Sequence, residues 1–557
     1  MPIKAFDKIN RKWIVLIGSL SVILILAFSG PGEKYFEVAR NLDIFASLFK
    51  EVNGYYVDEV DPKNLVAIGI TSMTESLDPY TVYIPEEEAA DFRIITTGKY
   101  AGIGIMVARI NGQIAVTMVE EKYPAFKAGI KIGDRIIEVD GHSLATTMHE
   151  EISRLLKGEI DKEVKVKVER YGEPQPIEFR LKRQNIKIAN VHYSGMLDSQ
   201  TGYIRLSDFT NDAGKEVIAA LDSLKKLGAS SLILDLRGNL GGLLNEAIAV
   251  CNVFIEKGKE VVSTRGQVPD WNRSHATLGA PVDKDIPIAI LIDNRSASAA
   301  EIVAGVIQDY DRGILVGNKS FGKGLVQTTR SLPYNAQLKI TTAKYYTPSG
   351  RCIQAIDYAN RNEEGFVDKI PDSLKVAFKT ANGRTVYDGG GIDPDFETGK
   401  QILAAITNEL LNKGLIFDYA TEYYYHHTQI TPLDKFELTD KDYNDFVKWV
   451  QSKDFEYNTR VEMELKHIEE TASNEKYYGA LKERISSLRK ELEERKRNDF
   501  DIFKEEIKNL LAMEIVSRYY FQRGQLRYMV RDDAVIKRAT HLLQDQTQYN
   551  KALQARK

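Results

Sequence analysis

Between residues 200 and 310 a strand-like run gives way to a helix-like run three times, and this alternation constrains the fold more than any other feature. Tyr203 to Leu206 precedes a helical stretch from about Ala213 to Leu227. Ser231 to Leu236 precedes one from Leu243 to Phe254, and Pro287 to Asp293 precedes one from Ala299 to Tyr310. Such repeats predict a sheet covered by helices. Residues 91–183 have a different texture. Short β-rich runs (Ile103 to Val107, Ile114 to Val116, Arg135 to Val139, Val164 to Val168) are separated by glycine turns, with hairpin signals at Asn111-Gly112 and Asp140-Gly141.

Helices flank both regions. From Glu33 to Tyr56 the residues Phe36, Val38, Leu42, Phe45, Leu48 and Phe49 recur at helical spacing, and a second helix is predicted over Asn64 to Ser76, ending at Asp78-Pro79. Beyond about residue 400 the chain reads as helical and charged. Leu481, Ile485, Leu488 and Leu492 form one apolar stripe there, and Phe500, Phe503, Ile507 and Leu511 form another. These predict amphipathic helices packed on the body or on a second subunit. The fold class is α/β and multidomain, and 557 residues suffice for three or four domains.

Composition removes several function classes. The 75 Lys and Arg nearly balance 79 Asp and Glu, so nothing favours nucleic acid as a partner. A 43% hydrophobic, 28% charged chain is neither collagenous, nor disordered throughout, nor a multi-spanning membrane protein. Cys251 and Cys352 exclude a disulfide scaffold and a zinc site of several thiolates, and read as two free thiols. There is no HExxH motif and no acidic metal loop, so neither a metal nor a cofactor is predicted. At the N-terminus Lys4, Lys8, Arg11 and Lys12 precede an apolar run from Trp13 to Phe28. Residues 1–30 read either as a signal peptide, with small residues at Ala27 and Ser29, or as an uncleaved signal anchor that keeps the chain on the inner membrane through residues 13–28. Both readings export the remainder to the periplasm.

Three segments offer chemistry. Ser298 lies between the PIAILID strand and its helix, where unpaired amides and the helix dipole suit a developing oxyanion. Ser298-x-x-Glu301 is equally a capping box. Lys323 sits in FGKG, and strand periodicity would place it on one face with Leu325 and Gln327. A lysine is a general base only when neutral, and burial lowers its pKa from about 10.4; the plainer reading is a surface lysine on a glycine-rich turn. In Asp235-Leu236-Arg237-Gly238-Asn239-Leu240-Gly241-Gly242 a strand runs into a double glycine and then a helix, which suits either anion-binding amides or a tight turn.

The order DLRGNLGG, SASAAE, FGKGLVQ, behind a β-rich module, resembles the C-terminal processing peptidases, or tail-specific proteases, over residues 35–355. The resemblance implies a Clp-protease/crotonase-like α/β core carrying an inserted PDZ-like domain. It also implies Ser298 as nucleophile, Lys323 as base and Gln327 as its support. The oxyanion hole would use an amide of Gly241 or Gly242 together with that of Ala299. Tyr100-Ala101-Gly102-Ile103-Gly104-Ile105 resembles a PDZ carboxylate-binding loop, so Gly102, Ile103, Gly104 and Ile105 are the implied peptide-binding residues. Tyr80 and Ala300 depart from the family pattern, at positions often histidine and serine. The domains expected are thus a leader (1–30), N-terminal helices (31–90), the PDZ-like domain (91–183), a serine protease core (184–398) and a helical C-terminal domain (399–557). The expected partners are unfolded protein C-terminal tails, with a homo-oligomer left open. A non-catalytic PDZ-type scaffold or holdase is the alternative from another class.

Overall fold

The structure, a computed structural model, describes residues 32–361, 367–399, 402–453 and 455–555. The predicted leader lies outside them. The chain divides into two units, one ending at Tyr83 and the other starting at Ile84.

In the first unit, α1 (Gly32–Tyr55) and α2 (Pro62–Glu75) sit where the apolar periodicity places them. Asp61 caps α2 by accepting from Lys63 N–H at 2.9 Å, and Pro62 occupies the first turn, where its missing N–H costs nothing. Gly69 admits the Phe45 ring, which a Cβ there would meet at 3.5 Å. Among the described residues no helix is long and apolar enough to cross a membrane.

The second unit opens with α3 (Ala89–Thr97) and a β-rich module. Its strands are β1 (Lys99–Gly102), β2 (Ile105–Ile110), β3 (Gln113–Val119), β4 (Arg135–Val139), β5 (Glu163–Glu169), β6 (Ile177–Lys182) and β7 (Gln184–Lys187), with short helices α4 (Pro124–Ala128) and α5 (His149–Leu156). β2 to β6 form an antiparallel sheet in the order β2-β3-β4-β5-β6, while β1 pairs with β7 and closes the module at its neck. The predicted hairpin turn falls at Asn111 and Gly112, both at positive φ, as a type I′ turn requires. β2 is an edge strand. The segments flanking α5 are tied back to the strands, Gly158 N–H donating to Ala101 O of β1 at 3.3 Å and Arg109 of β2 reaching Thr147 O.

The core follows, with β8 (Val191–Met196), β9 (Thr201–Leu206), α6 (Ala213–Lys226), β10 (Ser231–Asp235), α7 (Leu244–Phe254), β11 (Glu260–Arg265), β12 (Arg273–Ala276), β13 (Ile288–Ile292), α8 (Ala299–Asp309), β14 (Ile314–Gly317), β15 (Leu325–Ser331), β16 (Gln337–Tyr346) and β17 (Phe396–Glu397). The main sheet runs β8-β9-β10-β13-β14-β17, parallel except for β8. Its central strands are buried on both faces, which is why they read as unbroken apolar runs. Ile204, Leu234, Ile288 and Ile290 face α6, α7 and α8, while Tyr203, Ile233, Ala289 and Leu291 face the opposite side.

That opposite side is covered by the end of the chain. The C-terminal region contains α9 (Leu415–His426), α10 (Tyr478–Lys496), α11 (Lys504–Asp532), α12 (Ala534–Gln544) and α13 (Gln546–Ala552). Val535, Ile536, Ala539, Leu542 and Leu543 of α12 close the second layer of the core, and Tyr549 of α13 bonds Ile288 through its hydroxyl. The rest of the tail forms its own core around Ile507, Leu511, Ile515, Tyr443 and Phe446. Of the first predicted stripe only Ile485 is buried, and Leu488 is 50% exposed. The tail also grips the β-rich module. Phe417 joins that module's core, Arg518 stacks on Phe417 at 4.3 Å, Arg135 pairs with Asp418, and Phe521 meets Phe126 edge-on at 5.3 Å. At Phe521 α11 is broken, with φ 52° and ψ −158°.

Candidate active site

All three glycine- or serine-rich segments converge at the ends of β10 and β13. The parallel strands deliver their C-terminal ends to one edge of the sheet, where open α/β sheets place their sites. Ser296, buried completely, clasps the segments together. Its Oγ donates to Leu236 O at 2.8 Å, and its carbonyl accepts from Phe321 N–H at 3.0 Å. Ala297 N–H donates to Asn239 O at 2.9 Å, and Gly238 N–H donates to Asp293 Oδ1 at 2.9 Å.

Ser298 is the N-cap of α8 and has φ 55°, ψ −114°. For a residue with a Cβ this costs about 1–3 kcal/mol, and it persists only where surroundings force it. The forcing contact is Glu301. This side chain is fully buried, and its two oxygens take four donors: Oε1 accepts from Ser320 Oγ (2.5 Å) and Gly322 N–H (2.7 Å), Oε2 from Ser298 N–H (2.8 Å) and Lys323 N–H (2.9 Å). Burial pushes the Glu301 carboxyl up, and Ser320 with the amides of Lys323, Gly322 and Ser298 pulls it back in part. The capping box of the sequence is therefore real on the Glu301 side, but the same carboxylate also reaches into the FGKG segment. The backbones of Ser298 and Lys323 are side by side because they share one oxygen.

Lys323 lies in the loop ahead of β15 rather than on the strand, and a β-bulge between Val326 and Gln327 breaks the simple two-residue alternation expected there. Gln327 is half-buried and donates from Nε2 to Thr341 Oγ1 at 3.2 Å. Gly241 lies directly against the serine. A Cβ there would stand 2.7 Å from Ala297 O, 2.8 Å from Ser298 Cβ and 2.9 Å from Ala299 N, and its φ of +96° also demands glycine. Gly241 N–H donates to Asn239 Oδ1 at 2.8 Å. Gly242 is held by Phe209, whose N–H and C=O bond Gly241 O and Leu243 N–H. Ala299, 1% exposed, opens the first turn of α8. Sequence reasoning passed over Ser296, Asn239 and Ser320 as site-formers and read Glu301 only as a cap. Short-range spacing signals a cap; nothing local signals a bond to residues 19 to 22 positions away.

In the β-rich module, Gly102 ends β1, Ile103 is buried, and Gly104 has φ +80° with Tyr123 packed where a Cβ would be. The carbonyls of Ile103 and Gly104 are tied to Ala125 and Glu120 N–H groups, which fixes this loop beside the edge of β2, the strand that begins at Ile105. Among the described residues no group of His, Cys, Asp and Glu could hold a metal ion.

A family model described as "Peptidase family S41" matches residues 200–359, one described as "PDZ domain" matches 101–195, and one described as "Probable PDZ-protease, C-terminal helical domain" matches 406–543. The carboxy-terminal-processing protease of Bartonella bacilliformis is 39% identical over 340 residues, which are 60% of this chain and 77% of that relative. The chain belongs to this family. The carboxy-terminal processing protease CtpA of Bacillus subtilis is 33% identical over 361 residues, 64% of this chain and 75% of its own. Among solved structures, a photosystem II D1 C-terminal processing protease aligns with 67% of this chain and 96% of its own at 24% identity, with a TM-score of 0.35. As a carboxy-terminal processing peptidase the chain is a serine-type endopeptidase. It joins an S41 core to a PDZ domain and a C-terminal helical domain.

Proposed function

We propose that this peptidase is exported, binds protein C-terminal tails along β2 of its PDZ domain, and cleaves them with a Ser298–Lys323 dyad. The observation that carries the dyad is the shared Glu301 Oε2, which sets the two backbones next to each other at a strained helix N-terminus. Ser298 Oγ attacks the scissile carbonyl while Lys323 Nζ takes its proton. Gln327, on the following strand, supports the lysine. The tetrahedral oxyanion accepts from Ala299 N–H and from the glycine turn. Gly242 N–H is favoured there, since Gly241 N–H is engaged by Asn239. An acyl-enzyme forms, the amine leaves with the proton from Lys323, and water completes hydrolysis.

The edge of β2, which pairs with no further strand among the described residues and is backed by the fixed Gly102–Ile105 loop, supports strand addition by a peptide whose terminal carboxylate meets that loop. Export rests on the basic-then-apolar order of residues 1–28, which leaves cleavage or anchoring to the inner membrane as the two fates. A homo-oligomer is supported by α1, where Tyr35, Val38 and Leu42 keep three-four spacing and are 75%, 52% and 63% exposed.

The test is cleavage of one peptide bearing a free or an amidated C-terminus. Cleavage of the free form that vanishes in Ser298→Ala and in Lys323→Ala, with the fold retained, is expected. Undiminished proteolysis by purified Ser298→Ala overturns the dyad, and binding of tails without cleavage by the wild type returns the scaffold reading.

A further inference from the structure

The DLRG segment that supplies the glycine turn is tied to the far end of the chain. Arg237, the second residue after the strand carrying Asp235, donates from Nη1 to Asp533 Oδ2 at 2.8 Å. It also forks onto Asp235, from Nε at 3.0 Å and Nη2 at 2.6 Å. Both members of the Arg237–Asp533 pair are largely shielded, with side chains 14% and 11% exposed. Burial works to raise the Asp235 carboxyl, yet Arg237, Arg205 and the Tyr203 hydroxyl outweigh it and hold Asp235 ionised. Asp533 has a second task, because its Oδ1 caps α12 by accepting from Val535 N–H (2.8 Å) and Ile536 N–H (2.9 Å). One side chain thus fixes the start of α12 and the start of the turn. Gly238 and Asn239 follow Arg237 directly, and Gly241, four residues on, abuts Ser298.

We propose that Asp533, acting through Arg237, is a positioning residue for the glycine turn of the active site. The inference rests on the proposed role of that turn in holding the oxyanion. A buried ion pair at the root of a turn resists its rotation about the β10 end, and no other charged group on the tail side contacts Arg237 among the described residues. The C-terminal helical domain then contributes to catalysis through the position of the turn, because a misplaced turn moves its donor amides away from the oxyanion.

Asp533→Asn separates the two tasks, since asparagine caps a helix as well as aspartate but carries no charge for Arg237. Amide hydrogen exchange of the wild type and the variant is compared over residues 238–243, alongside kcat and KM for a free-tailed peptide. The expected result is at least tenfold faster exchange in that turn, with kcat down about tenfold and KM within threefold. Val535→Ala, which loosens α12 without touching the pair, serves as the control and is expected to leave exchange in the turn unchanged. Wild-type exchange of the turn in Asp533→Asn overturns the proposal, as does an equal loss of kcat in Val535→Ala. The exchange arm needs no substrate, so it judges the tether separately from the Ser298 reading, which falls only if Ser298→Ala retains activity.

Discussion

Replacing Glu301 by glutamine keeps the shape of the side chain and removes its ability to accept at both ends. The amide has two ways to sit. With its nitrogen at the Oε2 position it would face Ser298 N–H and Lys323 N–H, two backbone donors with nothing to offer in return. With its nitrogen at the Oε1 position it would face Gly322 N–H and the Ser320 hydroxyl. The second is less costly, because a hydroxyl can turn and accept. Ser320 Oγ already accepts from Ile392 N–H at 2.6 Å, however, so its rotation is constrained. At least one buried N–H is orphaned and charge-assisted bonds become neutral ones, a cost of about 2–4 kcal/mol in stability. The position of Lys323 against Ser298 loosens at the same time, and a tenfold to hundredfold fall in kcat corresponds to about 1.4–2.8 kcal/mol of lost transition-state stabilisation. The assay is denaturant unfolding beside steady-state cleavage of a free-tailed peptide. A residue that did nothing but cap α8 would cost about 1 kcal/mol of stability and leave kcat alone. Wild-type kcat in a folded Glu301→Gln protein therefore refutes the hub.

The raised carboxyl of Glu301 gives a pH signature. Below its pKa the acid is neutral and gives up part of its accepting capacity, so activity falls on acidification at a pH above the usual carboxylate range of about 4.5, and a pH–rate profile on the folded enzyme reads the acid limb. Gly241→Ala puts a methyl 2.7 Å from Ala297 O at a φ of +96°, and is expected to cut kcat more than a hundredfold while the circular dichroism of the core is retained. Gly104→Val meets Tyr123 Cβ at 2.6 Å and is expected to weaken tail-peptide binding at least tenfold, measured by titration of the Ser298→Ala protein.

What the sequence reveals of this molecule follows the range of its interactions. The core strands were legible because burial on both faces writes continuous apolar runs, and their helices because 3.6-residue spacing survives without context. The hairpin at Asn111-Gly112 was legible because it needs positive φ at two adjacent residues. For Lys323 the sequence left strand, loop edge and glycine-rich turn open, and the structure puts it in the loop two residues before β15. Nothing in GKGLVQ marks where hydrogen bonding to β16 begins, or that the register slips at Gln327. Glu301 carries the clearest lesson, since its i to i+3 bond is written in the sequence while its three bonds to Ser320, Gly322 and Lys323 depend on how two loops meet.

The tail shows the same limit at larger scale. Phe503, Ile507 and Leu511 formed a readable stripe, and they line a core that the helical domain builds for itself. Val535, Ile536, Ala539, Leu542 and Leu543 form a stripe of the same quality, yet they belong to the protease, closing the face of the sheet that α6, α7 and α8 leave open. Periodicity states that a helix has a partner and is silent on which one. The choice is made by surfaces assembled more than 200 residues earlier, on Tyr203, Ile233, Ala289, Leu291 and Ile314. A protease core whose second layer is α12 cannot be finished until residue 543 has been made. Removing α12 would expose the apolar back of β10 and β13, so loss of solubility, rather than a stable and faster enzyme, is the expected outcome of ending the chain at residue 532. A soluble, active truncation would show that the sheet does not need this layer.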